Sequence, residues 1–118
     1  MDGALVSQVI EVLITPDQLP TDGLHALDLG PEPIAVLALR RGEELRLWHN
    51  ACPHAGRRLD YAPGRFLMQD GRLVCAAHGA QIDVDSGRCV DGPGRGGQLA
   101  AIELSRVATG WRVCLPLA

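Results

Sequence analysis

Apolar and polar residues along this chain are spaced for short strands, and no segment sustains a period of 3.6 residues. Residues 8 to 14 are rich in β-branched side chains, which predicts a first strand, and Thr15 to Pro20 break it. Residues 25 to 29 predict a short second strand that stops before Gly30-Pro31. From Ile34 to Leu39 every residue is apolar, between Pro33 and the polar turn Arg40-Arg41-Gly42-Glu43. An unbroken run this short predicts a buried strand, and the alternating Leu45-Arg46-Leu47-Trp48 is its hairpin partner. Arg72-Leu73-Val74 is a further strand. Leu99 to Val107 and Trp111 to Leu115 predict a final hairpin around Ala108-Thr109-Gly110. Short strands at regular spacing, with helix minor, predict an all-β fold: a small antiparallel sandwich or barrel.

Composition narrows the class. With 118 residues, a single domain spanning 1–118 is the default. The only aromatic side chains are Trp48, Tyr61, Phe66 and Trp111, so the core rests on Leu, Val, Ile and Ala. A core this poor in large side chains gains from a bound group that staples it. The net charge of −3, with no long run of either sign, argues against nucleic-acid binding. No stretch approaches the ~18–20 apolar residues of a membrane span. The start, Met1-Asp2-Gly3-Ala4, lacks the basic n-region of a signal peptide. A soluble, cytoplasmic protein is expected, in a reducing compartment that keeps thiols free.

The candidate chemistry follows two of the predicted strands. Cys52-Pro53-His54 comes after Leu45–Trp48, and Cys75-Ala76-Ala77-His78 comes after Arg72–Val74. Twenty residues, Ala55 to Val74, separate the two pairs. Four Cys and His ligands could hold a tetrahedral zinc, giving a zinc-binding interaction module. Zinc fingers, however, usually pair like with like, whereas the order here is Cys, His, Cys, His. A redox dithiol needs two cysteines two residues apart, and no such pair exists. Two thiolates on one iron and two imidazoles on another would make a [2Fe–2S] cluster with mixed ligation.

The pattern resembles the Rieske family, whose signature is Cys-x-His, a spacer, then Cys-x-x-His. The likeness continues through Asn50-Ala51-Cys52-Pro53-His54-Ala55-Gly56, Cys75 to Ala80, Asp85-Ser86-Gly87 and Asp91-Gly92-Pro93-Gly94. The spacer is slightly longer than in many small members, and the turn around Ala62-Pro63-Gly64 is where the excess is expected. The resemblance implies a β base domain with an inserted cluster-binding subdomain at about 50–94. It implies metal ligands Cys52, His54, Cys75 and His78. It also implies sulfur-directed amides near Gly56 and Gly79, and a covering loop, Gly92 to Gly97, that carries Pro93.

Charge counting says what such a site does. Two ferric ions, two sulfides and two thiolates sum to zero, so one electron takes the cluster to −1 rather than from −2 to −3. The potential therefore lies above that of all-cysteine clusters. High-potential members of the family add a serine, a tyrosine and a cysteine pair, at positions filled here by Ala80, Ile82, Arg57 and Ala77. A potential at the low end of the Rieske range, roughly −150 mV, is expected. Titratable His54 and His78 would make it fall at alkaline pH.

The implied function is one-electron transfer, as a ferredoxin between a reductase and a terminal oxygenase, without transformation of a substrate by the chain itself. An electron-transfer subunit of a larger reductase, of nitrite reductase type, is the alternative within the family. Arg57, Arg58 and Arg65 are candidates for a basic rim toward an acidic partner. Cys89 and Cys114 are expected to pack as small apolar residues, His25 and His49 to be surface or strand residues, and Asp83 and Asp85 to serve turns.

Overall fold

The computed structural model describes residues 9–116. The expected strand residue Gln8 and the Met1-Asp2-Gly3-Ala4 start lie outside the described residues. Eleven strands follow in order: β1 (Val9–Ile14), β2 (Gly23–Leu29), β3 (Ile34–Arg41), β4 (Glu44–His49), β5 (Asp60–Ala62), β6 (Arg65–Gln69), β7 (Arg72–Val74), β8 (Gln81–Asp83), β9 (Arg88–Asp91), β10 (Glu103–Val107) and β11 (Gly110–Pro116). One 3-10 turn, Pro16–Gln18, sits between β1 and β2. All strand pairs are antiparallel, in sheets ordered β1-β11-β10, β2-β3-β4 and β5-β6-β7-β8-β9. The all-β expectation holds. Among the described residues no helix is long and apolar enough to cross a membrane.

Two apolar cores share one wall. Ile14, Leu29, Val36, Ala38, Leu45, Leu47, Trp111, Val113 and Leu115 fill the first, between the two three-stranded sheets. Leu37, Leu39, Trp48, Leu59, Leu73, Ile82 and Leu99 fill the second, against the five-stranded sheet. Side chains alternate faces along a strand, so β3 sends Val36 and Ala38 one way and Leu37 and Leu39 the other. All four are buried. The unbroken apolar run in the sequence is therefore a strand covered on both faces.

The predicted strand over Leu99 to Val107 is split. Ile102 N–H donates to Leu47 O at 2.9 Å and His49 N–H to Ala100 O at 2.8 Å, so residues 100–102 pair with β4. Only Glu103–Val107 pairs with β11. The final turn is also tighter than expected, because Val107 pairs with Gly110 across Ala108-Thr109. The long spacer is taken up by the β5-β6 and β6-β7 hairpins. The first turns at Pro63-Gly64, as anticipated. The second turns at Asp70-Gly71, where both residues have positive φ, 51° and 77°. Two such residues make the primed turn that matches strand twist.

Candidate metal centre

Both Cys-His loops are built on the same hydrogen-bond frame. Cys52 N–H donates to Arg57 O at 2.7 Å, and Gly56 N–H returns to Cys52 O at 2.7 Å. Likewise Cys75 N–H donates to Ala80 O at 2.8 Å, and Gly79 N–H returns to Cys75 O at 2.8 Å. Each cysteine thus opens a tight loop that a glycine closes four residues later. Gly56 and Gly79 have φ of 72° and 83°, where any side chain would be strained. The differing spacings, Cys-x-His and Cys-x-x-His, only set where in equivalent loops the imidazole stands. The two glycine amides bond to the cysteine carbonyls. The N–H groups that reach Cys52 Sγ are those of His54 and Ala55.

Sulfur and nitrogen donors are sorted by depth. Cys52 and Cys75 are 3% and 1% exposed and join the second core, whereas His54 and His78 are exposed. The two rings stand 5.0 Å apart, centroid to centroid, at 89°. Burial pushes the Cys52 thiol up. The Cys75 side chain beside it adds to the rise, and the His54 and Ala55 amides oppose it. Those amides are the donors a bound thiolate needs. All four cysteines are free.

Among the described residues no three His, Cys, Asp or Glu side chains converge to hold one metal ion. A structural zinc wants four donors around one point. A two-iron cluster asks less of each point, because each iron takes only two protein ligands and the sulfides supply the rest. Two adjacent buried thiols, with two imidazoles together above them, fit that division.

A third loop closes on both. A Cβ placed on Gly92 would lie 2.8 Å from Gly79 O, one on Gly94 3.0 Å from His54 N, and one on Gly97 2.8 Å from Pro53 Cβ. The loop can lie this close only because these positions lack side chains. Pro93 is exposed at its tip. Cys89, at its root on β9, is fully buried in the second core. Cys114 is half-buried on β11.

Sequence reasoning missed a buried polar network under the first loop. Asn50 and Asp60 are 4% and 7% exposed. Asn50 Nδ2 donates to Asp60 Oδ1 at 2.8 Å, and Leu59 N–H donates to Asn50 Oδ1 at 2.7 Å. Arg58 donates to both Asp60 oxygens, at 3.0 and 3.1 Å, and also faces Asp28. Burial pushes the Asp60 carboxyl up, but the bonds from Arg58, Asn50 and Gly64 N–H outweigh it and hold the group below its ordinary value. The half-exposed Arg58 is thus committed to Asp60 and Asp28, and Arg57 and Arg65 are the other exposed members of the expected basic rim. The remaining singled-out residues behave as anticipated. His25 bonds to Thr21 O, His49 lies in β4, and Asp83 takes Asp85 N–H and Ser86 Oγ within a turn. A surface groove of about 780 Å³ lies between β4 and β10 and contains none of the four donors.

Known proteins agree with this geometry. The model of the Rieske [2Fe-2S] domain matches residues 10–105. No curated protein matches the sequence. Among solved structures, the ferredoxin of carbazole 1,9a-dioxygenase from Nocardioides aromaticivorans IC177 is 23% identical, with a TM-score of 0.62. The match covers 94% of this chain and 100% of that one. The terminal oxygenase of carbazole 1,9a-dioxygenase from Novosphingobium sp. KA1 is 13% identical, with a TM-score of 0.66. Its match covers 95% of this chain but 31% of the oxygenase chain. The corresponding oxygenase from Nocardioides aromaticivorans IC177 is 22% identical, at a TM-score of 0.60, over 92% of this chain and 30% of its own. These likenesses show the fold. With most of its length matched by the family model and its thiols and imidazoles sorted as described, the chain belongs to the Rieske [2Fe–2S] domain family and binds a [2Fe–2S] cluster.

Proposed function

We propose that this chain is a Rieske-type ferredoxin: a one-electron carrier that takes electrons from a reductase and delivers them to a terminal oxygenase. Cys52 and Cys75 hold one iron, and His54 and His78 hold the other. The observation that carries this reading is the depth sorting of the donors, with sulfurs buried and both imidazoles exposed. When bound, the cluster supplies a single-electron couple.

The residues of the chain do the rest. The second core keeps water from Cys52 and Cys75, and the His54 and Ala55 amides offset thiolate charge. His54 and His78 bring their rings to the surface, so an electron has little protein to cross toward a partner. Ala80 and Ile82 are fully buried, so the wall behind the second loop carries no hydroxyl donor. That absence supports a potential at the low end of the Rieske range.

The full-length match to a dioxygenase ferredoxin supports the partner class, since the oxygenase chains are about three times longer than the matched region. The reading treats 1–118 as one domain with a cluster-binding subdomain at about 50–94, around the β5–β9 sheet. A cytoplasmic location suits its four cysteines, none of which is in a disulfide. The test is reconstitution with a reductase and a Rieske-type terminal oxygenase. Product formation should require this chain, and an unchanged rate without it would overturn the assignment.

A further inference from the structure

The covering loop is tied down from beneath by a side chain that is not a ligand. The Cys89 thiol is fully buried, and its Sγ lies 3.4 Å from Asp91 O and 3.6 Å from Pro93 O. Its one proton faces two carbonyls of the segment leading into the loop. The backbone of Cys89 grips the far end. Its N–H donates to Gly97 O at 2.9 Å, and its O accepts from Gly96 N–H at 2.9 Å. Within the loop, Gly97 N–H donates to Gly94 O at 2.8 Å and Arg95 N–H to Gly92 O at 3.2 Å. Entry and exit of the loop thus converge on a single residue.

Position matters because of what the loop touches. Gly92 abuts Gly79 O, behind His78, and Gly94 abuts the backbone of His54. A shift of a few tenths of an ångström at residues 92–94 either opens a path for water or presses on a ligand loop. Packing alone gives no reason for a thiol here. Valine or alanine would fill an apolar site as well, but neither would satisfy the inward-facing carbonyls.

We propose that Cys89 is a positioning residue for the cluster, its buried S–H holding Asp91 O and Pro93 O so that the 92–97 loop stays seated against His54 and Gly79. This rests on the ligand assignment above.

Two substitutions separate donor from filler. Cys89→Ser keeps a proton donor but loses volume, whereas Cys89→Val keeps the volume and loses the donor. Both are made in the full chain, purified with cluster, and checked for unchanged far-ultraviolet circular dichroism. The readouts are iron release to an excess of chelator, amide hydrogen exchange at Gly92 to Gly97, and midpoint potential. Cys89→Val should release iron about three- to fivefold faster, the worth of one modest hydrogen bond. It should also expose the loop amides and shift the potential. Cys89→Ser should stay close to the unsubstituted chain on all three. If the valine variant retains iron as well as the serine variant, or better, the thiol is only filler and the proposal fails. The ligand assignment fails separately, if the unsubstituted chain carries no iron and sulfide.

Discussion

Asp60 illustrates how one residue supports the site without touching it. Its carboxylate is nearly fully buried yet satisfied by Asn50, Arg58 and Gly64 N–H, and these bonds close the 50–60 segment that contains the first ligand loop. Replacing it by Asn removes the charge and leaves Arg58 with the exposed Asp28, at 3.5 Å, as its anionic partner. Asp60→Asn should lower stability by about 2 kcal/mol in denaturant titrations at pH 7, with the Arg58 bonds counted modestly because that side chain is half-exposed. The pH dependence follows from the direction of the shift. A carboxyl held below its ordinary value contributes fully above that value and loses its contribution as pH falls through the lower, folded one. Stability should therefore fall below about pH 4 in the parent chain, and the Asn variant should show a shallower acid limb.

At the scale of elements, the glycine loop around Pro93 offers a controlled comparison. Gly94 and Gly96 have φ of 84° and 92°, so alanine suffers the same backbone strain at either position. A Cβ on Gly96 meets nothing within 4 Å, whereas one on Gly94 meets His54 at 2.9 Å. Gly96→Ala should cost about 1 kcal/mol and leave iron content unchanged. Gly94→Ala should cost a further ~1–3 kcal/mol from overpacking and lower the iron retained per chain. Metal analysis of the two purified variants checks this.

The same loop shows what a sequence can reveal about elements. The strands β1, β3, β4 and β11 were legible because each buries enough apolar residues to leave a pattern. The sheet that carries the site was mostly not. β6 is Arg65-Phe66-Leu67-Met68-Gln69 with every residue but Phe66 exposed, and β5 and β8 have three residues each. Their hairpins are set by turns, and the Asp70-Gly71 pair was a readable signal that apolar periodicity passes over. The ligand set stood out by residue type and order alone. Asn50, Asp60 and Cys89 did not, since a hydrogen-bonded buried polar group looks in sequence like any surface residue.

The whole molecule is two cores divided by β3, and only one of them contains the cysteines of the site. Leu37→Ala should cost about 2–5 kcal/mol and weaken cluster retention, because Leu37 packs in the core shared with Cys52 and Cys75. Val36→Ala, on the other face of the same strand, should cost less, about 1–3 kcal/mol, and spare the cluster at equal folded fraction. Denaturant titration paired with iron analysis distinguishes them. At this scale the potential also belongs to the fold, because buried Ala80 and Ile82 and exposed Arg57 and Ala77 provide neither hydroxyl nor disulfide beside the site. A redox titration near pH 7 should give a midpoint of roughly −150 mV, and a value above about +100 mV would contradict this.

The central claim is that sulfur holds one iron and nitrogen the other. Electron paramagnetic resonance of the reduced protein tests it most directly. The parent chain should give the signal of a cluster with mixed sulfur and nitrogen ligation. His54→Ala and His78→Ala should each abolish it while the fold persists by circular dichroism. A mixed-ligand signal retained in either variant would contradict the account.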